Sequence, residues 1–283
     1  MHSPSTAHRL GTTVALGLLC ALGASALPST VWAQQTIRKK AFPSMARRPW
    51  IGLVLNPAKQ GKGLEVSRVL RTSPAQKAGL QVGQVLVKAQ GQDIASVQDF
   101  RRVVLGVNAG DALTLTTSTN KTYTLKLTAL PSQSALIKSQ WMGRAVPALS
   151  YEDIATGSPQ SIAPEAGKVT VLEFWATWCG PCKPMGAHLD AYQAQHKDVR
   201  VFALSAEPRA TIKTYRAKQP AQALTTGRDA KSAIQKLLMV RSYPTVLIFD
   251  DTMRLRKVLT GFNHPSDVDK AVDSVRKIQK ARD

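Results

Sequence analysis

The chain is poor in cysteine, in aromatics and in acid. Three cysteines among 283 residues exclude a disulfide-stapled scaffold. Aromatic residues make up only 6% and are not interleaved with the basic runs, so no nucleic-acid motif is written here and no nucleic-acid partner is expected. Eighteen acidic residues stand against 38 Lys and Arg, a net charge of +20. That excess favours anionic partners or surfaces and says nothing about fold. No strongly apolar run reaches the ~20 residues of a spanning helix. With 43% apolar and 20% charged residues, a polytopic membrane protein and a disordered chain are both excluded. What remains is ordinary globular material, long enough for two domains.

The amino terminus reads as an address. His2, His8 and Arg9 precede an apolar or small stretch from Val14 to Leu27, Pro28 breaks it, and Val31-Trp32-Ala33 leads to Gln34. This is the pattern of a secretory signal peptide over residues 1–33, cut near Ala33. The expected location is periplasmic. The alternative is an uncleaved segment anchoring the chain to the inner membrane. Cleavage removes Cys20 and leaves Cys179 and Cys182 as the whole thiol content. Residues 34–48 carry five positive charges and no acid, a basic flexible lead-in whose candidate contact is an anionic envelope surface.

Residues 49–130 are β-rich. Short apolar runs are separated by Gly, Asn and Asp, and Leu113, Leu115, Tyr123, Leu125 and Leu127 alternate about Thr119-Asn120-Lys121 as in a hairpin. One helix interrupts the strands, capped by Ser96 and carrying Val97, Phe100, Val103 and Val104 at helical spacing. A second, short one is predicted at Pro74–Gly79. Trp50-Ile51-Gly52-Leu53, Ser73-Pro74-Ala75, Ala78-Gly79-Leu80, Gly83-Gln84-Val85-Leu86 and Gly91-Gln92-Asp93-Ile94, in that order, resemble a PDZ domain of the bacterial protease-associated type. Gln84 departs from it, where such domains usually carry Asp, at the expected cost of a local hydrogen bond. The resemblance implies capture of a peptide carboxyl terminus on a sheet edge. The carboxylate is expected at the N–H groups of Ile51, Gly52 and Leu53, and Phe100 and Val104 are expected to divide their roles between core and groove. Residues 131–145 read as a linker with a helical turn at Ala135–Trp141.

Residues 146–283 alternate strand and helix patterns around a continuous apolar run at Val169–Ala176, which argues for an α/β sandwich. The expected fold class is therefore multidomain, a β-rich PDZ-like domain followed by an α/β domain. The chemistry sits at Trp178-Cys179-Gly180-Pro181-Cys182. A cysteine at the junction of a buried strand and a helix from about Cys179 gains thiolate character from the helix N-terminus. The second, one turn on, is close enough for a disulfide. Cys179 is then the exposed nucleophile and Cys182 the resolving thiol. Zinc needs two further ligands and no second CxxC exists, so no metal and no cofactor are expected.

The run from Leu172 to Lys183 closely resembles the thioredoxin superfamily, and the surrounding layout is similar to its exported TlpA-like branch, over essentially all of 146–283. The resemblance implies a thioredoxin-like fold and thiol–disulfide exchange. It implies a cis peptide bond at Pro244, with Tyr243 and Thr245 offering backbone to a client strand. It makes Trp178 the aromatic shielding the nucleophile, and it puts Glu173 at the place of a buried acid able to relay the Cys182 proton. The family's proline five residues after the second cysteine is Ala187 here, and Pro184 comes earlier, so a helix kink is expected to move. The expected function is an exported oxidoreductase that reduces client protein disulfides. A membrane thiol is its electron donor, and the PDZ-like domain recruits a partner. The alternative is a PDZ-based envelope adaptor with the thioredoxin domain as accessory.

Overall fold

The computed structural model describes residues 48–219, 223–261 and 264–282. The signal peptide, its cleavage site, Cys20 and residues 34–47 of the lead-in lie outside the described residues. In chain order the first half comprises β1 (Pro49–Trp50), β2 (Leu53–Pro57), β3 (Leu64–Val69), α1 (Pro74–Lys77), β4 (Val85–Ala89), β5 (Gln92–Asp93), α2 (Val97–Leu105), β6 (Ala112–Thr117), β7 (Thr122–Lys126) and β8 (Thr128–Ala129). The alternating leucines do what alternation predicts. Leu113 pairs with Leu125 and Leu115 with Tyr123, all four buried on one face, and Asn120 turns the hairpin at φ 61°, a left-handed position Asn tolerates. The sheet order is β2-β3-β4-β6-β7, with β5 on β4, so β2 is an edge. Helix α2 starts where sequence places it, because Ser96 accepts from Asp99 N–H and the Asp99 carboxylate accepts from Ser96 N–H, a reciprocal cap. Helix α1 is shorter than the predicted stretch and ends at Lys77. Gln84 costs no hydrogen bond: it accepts from Gln81 N–H at 3.0 Å and donates to the Tyr123 hydroxyl at 2.6 Å.

The stretch read as a linker is mostly helix. Helix α3 (Gln133–Trp141) is capped by Ser132, and its Ile137 is fully buried in the core of the second half. An apolar side chain committed to a core removes the freedom a linker needs. Thereafter come β9 (Leu149–Asp153), β10 (Pro159–Ile162), β11 (Val169–Phe174), α4 (Cys182–Gln195), β12 (Val199–Ser205), α5 (Arg209–Arg216), β13 (Thr225–Arg228), α6 (Ala233–Leu238), β14 (Thr245–Phe249), β15 (Leu255–Thr260) and α7 (Pro265–Lys280). The seven strands run β10-β9-β13-β12-β11-β14-β15. Strand β11 is buried along its whole length because both faces are covered. Val169 and Val171 meet Met185 and Leu189 of α4 and Val268, Val272 and Val275 of α7. Leu172 and Phe174 meet Ile137 of α3 and Ile234 and Leu238 of α6. Glu173 thus falls, by strand alternation, on the α4 face. Among the described residues, no helix is long and apolar enough to cross a membrane.

Candidate active site

Strand β11 delivers the chain to the cysteines through a tight turn. Cys179 N–H bonds the Ala176 carbonyl at 3.0 Å, and Cys182 N–H bonds the Cys179 carbonyl at 3.1 Å. The two sulfurs are bonded, with Cα atoms 5.3 Å apart. Helix α4 begins at Cys182, with Pro181 as its cap residue. Cys179 therefore lies just ahead of the helix rather than opening it, because Gly180-Pro181 forms a turn there. Pro184 falls in the first helical turn, where a missing N–H leaves nothing unsatisfied, and α4 runs on unbroken to Gln195. Both cysteines are 4% exposed, so in the disulfide form the expected exposed nucleophile is covered. Trp178 is not a packed shield: it is 72% exposed, and its ring rests against Tyr243 at 5.8 Å between centroids.

Behind the disulfide lies a cavity of about 180 Å³ lined by Glu173, Cys182, Gly186, Asp190 and Arg216 among others. Glu173 is 2% exposed, and its Oε1 accepts no hydrogen bond among the described residues. Burial pushes its carboxyl up to about 8; Arg216 opposes the shift and Asp190 adds to it. Asp190 is tied to Arg216 at 3.0 Å and accepts from Leu224 N–H at 2.9 Å. A carboxyl that gains and loses its proton close to neutrality, lining the same cavity as Cys182 in a space large enough for water, can accept a proton when ionised and return it when neutral.

In front of the disulfide, the Tyr243–Pro244 bond is cis, and Thr245 opens β14 opposite Phe174, which brings this loop to the cysteine end of β11. Tyr243 packs partly against both cores, and its hydroxyl donates to Gln235 at 2.7 Å. Two anchors escaped sequence reading. The Glu207 carboxylate accepts from Thr177 N–H and from the Thr177 hydroxyl, both at 2.7 Å, and so holds the turn two residues before Cys179. Gln133 of α3 accepts from Arg241 N–H and the Ser242 hydroxyl and donates to the Thr245 hydroxyl. The only sequence signal for Glu207 was an acid at the end of a strand pattern. Gln133, inside a stretch read as linker, gave none.

The PDZ residues form a second group. Gly52 takes φ +82°, and a Cβ there would stand 2.0 Å from that of Ser73, so glycine is required from behind the loop as well as by its dihedral. The carbonyls of Ile51 and Gly52 accept from Ala75 and Leu70 N–H, which fixes the loop. Leu53 starts the edge strand β2. Phe100 is buried in the PDZ core, whereas Val104 is half-buried against it, so Phe100 serves the core and only Val104 remains near the surface.

The fold and the bonded cysteine pair define a thioredoxin-like domain of the thiol–disulfide oxidoreductase class, carried behind a PDZ domain. Residues 142–258 match the AhpC/TSA family and residues 65–117 match the PDZ domain. The chain is similar to the thioredoxin-like protein YneN of Bacillus subtilis, at 28% identity over 46% of this chain and 78% of that protein. It is similar to a thiol–disulfide oxidoreductase ResA of Geobacillus thermodenitrificans, at 22% identity over 48% of this chain and 78% of the other. A third likeness is to a probable periplasmic serine endoprotease, DegP-like, of Bartonella henselae, at 26% identity over 32% of this chain. The match spans only 20% of that protease's length. Among solved structures, a putative thiol:disulfide interchange protein DsbE from Chlorobium tepidum matches with TM-score 0.43 and 23% identity, over 48% of this chain and 97% of the other.

Proposed function

We propose that the chain is an exported oxidoreductase that reduces disulfides in client proteins, while its PDZ domain holds a partner by a peptide carboxyl terminus. The observation that carries the reading is the Cys179–Cys182 disulfide placed between a cis-proline loop in front and a buried Glu173 behind, whose carboxyl exchanges its proton close to neutrality. The Cys179 thiolate attacks one sulfur of a client disulfide, and the other leaves as a client thiolate. Glu173, in its ionised form, takes the proton of Cys182 and becomes the neutral acid. The Cys182 thiolate attacks the Cys179 sulfur of the mixed disulfide and releases the second client thiolate. Two electrons have passed to the client, and the protein is left in the disulfide form. A membrane thiol donor returns it to the dithiol.

Tyr243, Pro244 and Thr245 supply the edge to which an extended client segment adds, and Trp178 gives that segment an exposed aromatic surface. Export is supported by the leader pattern of residues 1–33. Partner capture is supported by the edge of β2, which no second strand pairs among the described residues, beside the fixed loop Ile51-Gly52-Leu53. Acid quenching of intact cells followed by thiol alkylation tests the direction. A largely reduced Cys179/Cys182 pair supports the reductase reading, and a largely oxidised pair that no cellular thiol reduces contradicts it.

A further inference from the structure

Helix α3 joins the two halves and holds something at each end. At its carboxyl end Gln140 exchanges two hydrogen bonds with the Arg71 backbone, accepting from N–H at 2.9 Å and donating to the carbonyl at 3.1 Å. Arg71 lies in the turn after β3, next to Leu70, whose N–H bonds the Gly52 carbonyl. Beside it Trp141 donates to the Leu237 carbonyl at 3.2 Å. At its amino end Gln133 reaches the cis-proline loop, 112 residues on in sequence. Its Oε1 accepts from Arg241 N–H and from the Ser242 hydroxyl at 3.2 Å. Its Nε2 donates to Thr245 Oγ1 at 2.7 Å. An amide N–H only donates, so Arg241 decides which end of the Gln133 amide faces it. Thr245 in turn donates to the Ser242 carbonyl at 2.8 Å, and the Arg241 guanidinium reaches the Pro131 carbonyl at 3.3 Å. One side chain therefore anchors the loop at 241–242 and again at 245. The residues between the anchors are Tyr243 and Pro244.

We propose that Gln133 is the positioning residue for client binding, presenting the Tyr243–Pro244 backbone as a preformed edge to an extended polypeptide. The proposal rests on the reading of that loop as the client-binding edge. A loop anchored before the client arrives has less conformational freedom to lose on docking. The Gln133 side chain spends its hydrogen bonds on residues 241, 242 and 245 and lies outside the cavity lining around Glu173. Its influence therefore falls on affinity for polypeptide disulfides and spares the exchange step. A small disulfide, which has no strand to dock, does not feel it.

The test measures steady-state reduction by residues 34–283, with dithiothreitol as the electron source and its uncatalysed rate subtracted, on two substrates, insulin as a polypeptide disulfide and hydroxyethyl disulfide as a small one. Gln133→Ala is expected to raise KM for insulin by about fivefold, the scale of one net hydrogen bond, with kcat and hydroxyethyl disulfide turnover unchanged. Gln133→Glu keeps the acceptor for Arg241 and Ser242 and loses only the donor to Thr245, so its KM falls between the two. The proposal is overturned by an insulin KM that does not move, or by equal losses on both substrates in the Glu variant. Insulin reduction surviving in Cys179→Ser marks failure of the underlying reading instead.

Discussion

Among the described residues, the thioredoxin-like half buries four carboxylates, Glu173, Asp190, Asp229 and Asp250, and the PDZ half buries none. Within the four there is a sharper contrast. Asp229 accepts from the N–H groups of Ile234 and Gln235. Asp250 accepts from Thr252, from Arg254 N–H and from the Arg256 guanidinium. Asp190 has Arg216 and Leu224 N–H. Only Glu173 leaves an oxygen without a hydrogen-bond partner among the described residues. A structural acid is satisfied when charged and is held in that form. An acid that must gain and lose a proton is left partly unsatisfied, and the fold tolerates the cost. In the proposed function the PDZ half needs no such group, because its ligand would be met by backbone N–H groups on a fixed loop.

The largest effect belongs to the cysteines. Cys179→Ser is expected to lower insulin reduction by about a thousandfold or more, while Cys182→Ser accumulates a client mixed disulfide visible on non-reducing gels. Removing a satisfied acid acts on stability instead. Asp250→Ala leaves the Arg256 guanidinium without its 2.8 Å partner and should cost about 3–5 kcal/mol in denaturant unfolding, with unchanged exchange by the folded protein. In the PDZ half, Gly52→Ala meets both the positive φ and Ser73. It should loosen that half by roughly 2–4 kcal/mol, read as faster hydrogen exchange in residues 49–130 with the redox rate untouched. Loss of redox activity in this variant would break the separation of the two halves.

Much of this was legible in sequence because it is local. Ser96 stands immediately before the helix it caps, the hairpin leucines alternate about Asn120, and Cys179 and Cys182 stand one helical turn apart. The cis bond at Pro244 followed from the resemblance to the thioredoxin superfamily, which Tyr243-Pro244-Thr245 helps to carry. What escaped is carried by partners remote in sequence. Glu207 holds Thr177 from 30 residues away, Arg216 reaches Asp190 from α5, and Gln133 reaches Thr245 across 112. The covering of Cys179 escaped for the same reason, since burial is set by elements that meet only in the fold. Ile137 made a helix of a linker because its side chain belongs to the core of the domain that follows.

The effects expected from Glu173→Gln have opposite signs on stability and on rate. Its folded-state pKa near 8 stands above the ordinary 4.5, so between those values the folded chain holds a proton that the unfolded chain releases. Stability contributed by the protonated form is therefore present at low pH and declines as pH rises through that window. Glu173→Gln removes the decline and should raise the melting temperature at pH 8 relative to wild type, with little difference at pH 4. The same variant should slow client release at pH 7 by up to about a hundredfold, the low end of what a positioned acid–base group supplies.

The most direct test follows single-turnover release of a client from the Cys179 mixed disulfide as a function of pH, in wild type and in Glu173→Gln. Proton transfer from Cys182 to Glu173 predicts a wild-type rate that inflects near pH 8 and a variant that is slower and has lost that inflection. An inflection that survives unchanged in Glu173→Gln, at the same rate, would contradict the account and return Glu173 to the company of the structural acids.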